Sequence, residues 1–279
     1  VIQDHNSINS DDPIGVFDSG IGGLSVLTAL RGLLPHEDFV YFGDTARLPY
    51  GTKSRDTVRA YAATMTRTLL DHDIKALVVA CNTASAYAMD TIRALSGDIP
   101  VIGMVGPAAE RALSTTRNGH ILVTGTHSTI QSNVYPDALQ AGGDNLRITS
   151  IPCQLLVALA EEGWHDGNIA EASIRAYLHE ILGMPADERP DTMIMGCTHF
   201  PVFQPVFARV LNEQTHLINC GIAAGRQLAE ELPQKSTGDN YGRISYYATD
   251  SPERFAASAQ HFVNAGIRES EVTMIDIAT

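Results

Sequence analysis

Short apolar runs rich in β-branched residues recur along this chain, with stretches of helical periodicity between them. Residues 14–17, 39–42 and 121–124 are such runs, two more end just before Cys81 and Cys197, and Ile148-Thr149-Ser150-Ile151 reads as a further strand before Cys153. A short run that is apolar throughout belongs to a sheet covered on both faces, which is the habit of parallel sheets. Parallel neighbours need a crossover connection, and the helical stretches supply it. A doubly wound α/β fold is therefore expected. With 279 residues the chain can fill one large or two modest cores. The recurrence of strand, cysteine and threonine in Val79-Ala80-Cys81-Asn82-Thr83 and Met195-Gly196-Cys197-Thr198-His199 suggests two related halves.

Helices are expected from about Leu24, after Ser54 as N-cap, from about Ala84, over 155–162, over 169–182 as one long element, and after Pro201 or Pro205. In the second of these Val58, Tyr61, Ala62, Met65 and Leu69 share one face. The halves are expected to join near residues 100–107, and the polar stretch 234–242 reads as a surface loop.

A thiol at the carboxyl end of a parallel strand lies where α/β proteins place their ligands. Two of them, Cys81 and Cys197, offered by similar halves, can face one small molecule from opposite sides. Reaction at a stereocentre needs that geometry. Taken alone, either cysteine fits a small buried hydrophobe equally well. The polar neighbours Asn82, Thr83, Thr198 and His199 argue against core packing at both places. A zinc ion on Cys81, Cys197 and His199 is a rival, although the paired-ligand spacing of structural zinc sites is missing. With Cys153 and Cys220 widely spaced and no Cys-x-x-Cys, reduced thiols are expected rather than two disulfides.

Asp18-Ser19-Gly20-Ile21-Gly22-Gly23 follows the first strand but fails the dinucleotide fingerprint, because Ser25 stands where a third glycine or alanine is required. Its glycines are expected to let backbone approach a small anion, with Asp18 and Ser19 facing the cleft. Pro49-Tyr50-Gly51-Thr52 is either an ordinary turn or a loop offering a phenol and N–H groups. His199 is either structural or a proton partner of Cys197. The lysines are Lys53, Lys75 and Lys235, none in a Schiff-base setting, so cofactor-independent chemistry is favoured. A formal charge of −13 argues against general nucleic-acid binding, and an anionic substrate must then be held by local N–H groups and hydroxyls. No stretch reaches the length of a membrane span. The polar start lacks the features of a secretory signal, so residues 1–12 read as a flexible extension and the expected location is the cytoplasm.

Four motifs together carry a resemblance. Val16-Phe17-Asp18-Ser19-Gly20-Ile21-Gly22-Gly23-Leu24-Ser25-Val26, Tyr41-Phe42-Gly43-Asp44-Thr45-Ala46-Arg47-Leu48-Pro49-Tyr50-Gly51, Ala80-Cys81-Asn82-Thr83-Ala84 and Gly196-Cys197-Thr198-His199-Phe200-Pro201 resemble the cofactor-independent aspartate/glutamate racemases, over about residues 13–262. His199 in the last motif favours the glutamate branch. The resemblance implies two pseudo-symmetric doubly wound domains with the active site in the cleft between them, residues 1–103 with 219–279 and residues 104–218. It implies interconversion of L- and D-glutamate for peptidoglycan synthesis without a cofactor, Cys81 acting on D-glutamate and Cys197 on L-glutamate. Asp18 and His199 would assist the two thiols and also touch substrate. Ser19, Pro49, Tyr50, Gly51, Asn82, Thr83, Thr126, Thr129, Glu161 and Thr198 would complete the substrate site. Part of the family forms homodimers and part is activated by a cell-wall precursor, so the resemblance admits both partners. Gln154 and Asn219-Cys220 depart from the family pattern, which has proline and Asp-Ser there. The remaining alternatives are a relative acting on aspartate, a hydantoin or maleate, and a two-domain protein that closes on anions without turnover.

Overall fold

A computed structural model describes residues 9–232, 241–263 and 266–277. The strands are β1 Ile14–Asp18, β2 Phe39–Gly43, β3 Ala76–Val79, β4 Val101–Gly103, β5 His120–Gly125, β6 Arg147–Pro152, β7 Thr192–Gly196, β8 His216–Asn219, β9 Ile244–Ala248 and β10 Val272–Met274. In the first half lie the helices α1 Leu24–Leu33, α2 Arg55–Leu70, α3 Asn82–Tyr87 and α4 Met89–Ser96. Then come α5 Val105–Thr115, α6 His127–Gln131, α7 Val134–Gly142, α8 Leu155–Glu161, α9 Gly167–Tyr177, α10 His179–Gly183 and α11 Gln204–Leu211. Finally there are α12 Cys220–Glu231 and α13 Pro252–Ala259.

Two parallel sheets result, in the orders β10-β9-β2-β1-β3-β4 and β6-β5-β7-β8. Val16 stands opposite Tyr41 on one side and Val78 on the other, and Val123 stands opposite Ile194. The apolar runs have the predicted cause. In β1, Ile14 and Val16 enter one core and Phe17 the other, so every residue of the strand is buried. The edge strand β6 is half-exposed and polar by comparison. Helix α12 lies close against α1, where Gly221 and Gly225 leave room for Val26, Leu30 and Leu33.

Several expectations shift. Ser54 caps α2 as predicted, its Oγ accepting from the Thr57 N–H at 3.3 Å. Four of the five residues expected on its buried face are fully buried, and Tyr61 is half-buried. The helix expected at Ala84 starts at Asn82 instead, because the sulfur of Cys81 accepts the Ala84 N–H at 3.4 Å and serves as its N-cap. The helix over 169–182 is broken at Leu178, whose φ of −94° and ψ of 12° leave the helical region. Both prolines near position 200 begin helical turns, Pro201 a short 3₁₀ turn and Pro205 α11. Part of the presumed N-terminal extension is anchored: the Ser10 carbonyl accepts from Lys75, whose buried ammonium also pairs with Glu37. The rest of that extension, residues 1–8, and most of the polar stretch 234–242 lie outside the described residues. Among the described residues no helix is long and apolar enough to cross a membrane.

Candidate active site

Both singled-out thiols sit just past internal strands of the two sheets, Cys81 after β3 and Cys197 after β7, and both are buried. Cys81 Sγ donates to Ser19 Oγ at 3.5 Å and accepts from the Ala84 N–H. Burial pushes the Cys81 thiol up to about 12, with the Asp18 charge adding to the shift and Ser19 and Ala84 opposing it. Cys81 and Cys197 also lie within electrostatic reach of each other.

Cys197 Sγ lies 3.7 Å from His199 Nδ1. On the other side of the ring, His199 Nε2 meets Glu161 Oε1 at 3.1 Å, at the end of α8. Burial disfavours the charged ring, yet the hydrogen bonds to Cys197 and Glu161 and their charges prevail, and His199 is raised to about 10. The Phe262 ring stands perpendicular to the imidazole, with the ring centroids 5.3 Å apart. Asp18, fully buried, accepts from the Gly20 N–H at 3.1 Å and from Thr198 Oγ1 at 3.5 Å. Its carboxyl is raised by desolvation, against His199 and backbone N–H groups that lower it.

The glycines of the β1–α1 turn make room for neighbouring side chains. A Cβ on Gly22 would fall 2.4 Å from His199 Nδ1 and 2.6 Å from Thr198 Oγ1. On Gly23 it would fall 2.4 Å from Asp18 Cβ. Gly22 backbone thus approaches side chains of the opposite half, and Gly23 backbone approaches Asp18 of its own half.

A second group gathers three hydroxyls. Thr83, Thr126 and Thr129 lie 3.0–3.1 Å from one another, and all are buried. Gly51 packs against them, since a Cβ there would come within 2.6 Å of Thr126. The Tyr50–Thr52 stretch is a 3₁₀ turn following Pro49. The phenol that this loop offered on paper is occupied: Tyr50 is fully buried and its hydroxyl donates to Asp44 Oδ2 at 2.5 Å. Asn82 joins the two groups in sequence, between Cys81 and Thr83.

Some participants gave no sequence signal as site residues. Asp44, inside a quoted motif, also accepts from Thr249 at 3.0 Å and anchors the Pro49–Tyr50 turn. Ser25 Oγ donates to the Thr198 carbonyl at 2.6 Å and Ser128 Oγ to the Gly51 carbonyl at 2.9 Å, both between the halves. Gln154 and Asn219, the departures from pattern, have local partners. Gln154 Oε1 accepts from the His127 N–H at 3.3 Å, and Asn219 Oδ1 caps α12. The zinc rival finds no donor set, since no group of three His, Cys, Asp or Glu side chains among the described residues could hold a metal ion. A cavity of about 360 Å³ opens at Ile21, Leu48, Glu161 and Arg254.

The Asp/Glu/Hydantoin racemase profile matches residues 25–228. The chain belongs to the Asp/Glu/Hydantoin racemase family. Within that family it is 36% identical over 272 residues to a glutamate racemase of Neisseria meningitidis, covering 96% of this chain and 99% of the relative. A racemase crystal structure from Francisella tularensis, in complex with D-glutamate, superposes with a TM-score of 0.87 at 33% identity, covering 96% of this chain and 99% of the other. The Escherichia coli glutamate racemase, solved with L-glutamate and the activator UDP-MurNAc-Ala, reaches 0.77 at 28% identity, covering 96% of this chain and all of that one. The chain is thus a racemase-family enzyme with the family's α/β fold.

Proposed function

We propose that this enzyme interconverts L- and D-glutamate without a cofactor, using Cys81 and Cys197 as its two acid–base groups. The observation that carries the reading is the pair of buried thiols, one from each sheet, each with its own proton partner: Ser19 and Asp18 near Cys81, and His199 with Glu161 beside Cys197.

One sulfur, as thiolate, takes the α-proton from one face of the amino acid, and the C–H electron pair stays on the α-carbon. The other sulfur, as thiol, delivers its proton to the opposite face. Each turnover exchanges the protonation states of the two sulfurs. Cys81 carrying its proton is the delivering form for L-to-D conversion. In the reverse direction it must first ionise, and with the thiol at about 12 this costs about 7 kcal/mol at pH 7. The substrate ammonium, drawn into the same dry space, offsets much of that cost. The developing carbanion charge spreads onto the α-carboxylate, which preorganised donors must stabilise. Asn82, Thr198, Ser19 and the N–H groups of the Tyr50–Gly51 turn are assigned to substrate binding. The Thr83–Thr126–Thr129 hydroxyl group is assigned with them to hold carboxylate.

We divide the chain functionally into residues 1–103 with 219–279 and residues 104–218, a reading supported by the membership of the two sheets. The product supplies D-glutamate for peptidoglycan in the cytoplasm. Activation by a cell-wall precursor is supported by the Escherichia coli relative. Titration with UDP-MurNAc-Ala tests activation, and light scattering tests the homodimer.

The central experiment incubates the purified protein with each glutamate enantiomer in heavy water. Circular dichroism decaying to zero, with one α-deuterium gained per inverted molecule, is the expected result. Inversion of aspartate in preference to glutamate, or binding of glutamate without exchange, would overturn the substrate assignment.

A further inference from the structure

Behind Asn82 lies a small polar cluster that the mechanism above does not use. Tyr135, on α7 of the other half, is buried, and its hydroxyl donates to Asn82 Oδ1 at 2.6 Å. The same hydroxyl lies 3.3 Å from Cys220 Sγ, and the Cys220 thiol in turn donates to the Met195 carbonyl at 3.3 Å. On the far end of the Asn82 amide, Nδ2 is buried and has no hydrogen-bond partner.

A carboxamide has two ends of similar shape and opposite polarity, so its orientation is set by its neighbours. Here the phenol proton has two acceptors to choose from, an amide oxygen and a thiol sulfur. Sulfur is the weaker one, and its own proton is already directed at Met195. The phenol therefore gives its proton to Oδ1, which turns Nδ2 away from Tyr135. A buried donor in that state is unfavourable until an acceptor reaches it, and a carboxylate oxygen makes a charge-assisted bond to it. Burial, then Cys220, pushes the Tyr135 phenol well above its ordinary range, so its proton stays available for donation.

We propose that Tyr135 is a positioning residue for substrate binding: its hydroxyl fixes the Asn82 amide so that Nδ2 donates to a carboxylate oxygen of the amino acid. The inference rests on the racemase reading and deepens it. Tyr135 acts through Asn82, so its contribution disappears when the amide is gone.

The experiment is a double-mutant cycle on the full chain, with KM and kcat measured from both glutamate enantiomers. Tyr135→Phe keeps the ring, whose edge packs at Gly196, and removes only the hydroxyl. It is expected to raise KM about tenfold for both enantiomers with kcat within about twofold. In the Asn82→Ala background the same change is expected to move KM by less than about twofold. Unchanged KM in Tyr135→Phe, or effects that multiply in the double variant, would overturn the positioning role. Wild-type protein that leaves glutamate uninverted overturns the racemase reading as well, and so the two failures are distinguishable.

Discussion

Cys81 and Cys197 differ in their surroundings more than in their place on the fold. Cys81 has a hydroxyl and an N–H for company, and burial holds its proton on. Cys197 faces a histidine whose protonated ring is favoured, against burial, by its hydrogen bonds to Cys197 and Glu161. Replacing either sulfur by oxygen swaps a thiol for an alcohol, a far weaker acid and so a much poorer proton carrier. Cys81→Ser and Cys197→Ser are each expected to lower kcat for racemisation by about 10²–10⁴-fold, measured by circular dichroism. Near-normal turnover in either variant would remove the pair from the chemistry. His199 carries a pH signature. Its folded value of about 10 stands above the 6.5 of an unfolded histidine. The fold thus favours the protonated ring, a stabilisation complete below about pH 6.5 and lost as pH rises through about 10. Urea midpoints of wild type and His199→Gln are therefore expected to converge between those limits. Midpoints that stay parallel across that range would show that the ring is not held charged.

The β1–α1 turn and the N-terminus of α3 show how much an element depends on what packs against it. Glycine at 22 was legible as a turn residue, but its reason is the imidazole of an element far along the chain. Gly22→Ala is expected to displace His199 and lower kcat/KM by about 10²-fold, as a shift of about 1 Å at a catalytic group does. Initial-rate kinetics with both enantiomers check this, and near wild-type rates would mean that the turn gives way instead. At α3 a helix was expected from about Ala84, yet its cap comes from the Cys81 sulfur, a residue type that cap preferences do not favour. Leu178 interrupts α9 and α10 while remaining fully buried, along with Ile174 and Ile181. The hydrophobic spacing therefore continued through a break that it had no means to signal.

Across the assembled chain, a few hydrogen bonds tie the halves together at the site itself. Ser25 holds the Thr198 carbonyl, Ser128 holds the Gly51 carbonyl, and Thr83 meets Thr126 and Thr129. Such links restrain how the segments from the two sheets sit against each other at the site. Ser128→Ala removes a bond worth about 1 kcal/mol, so amide exchange over residues 50–53 is expected to quicken about fivefold in hydrogen-exchange mass spectrometry. Unaltered exchange there would place the restraint elsewhere. Local pattern was enough to find six of the ten strands among the described residues, though not β4, β8, β9 and β10. It also found the cap at Ser54 and the two thiols at strand ends, because burial on both faces and the helical period are written in neighbouring residues. The partners of those residues were not. That Tyr50 turns to Asp44, that Gly22 makes room for His199, and that Tyr135 reaches Asn82 are contacts between segments far apart in the chain. Crossover connections bring such segments together, and the spacing of residues along a strand or helix carries no record of which ones will meet.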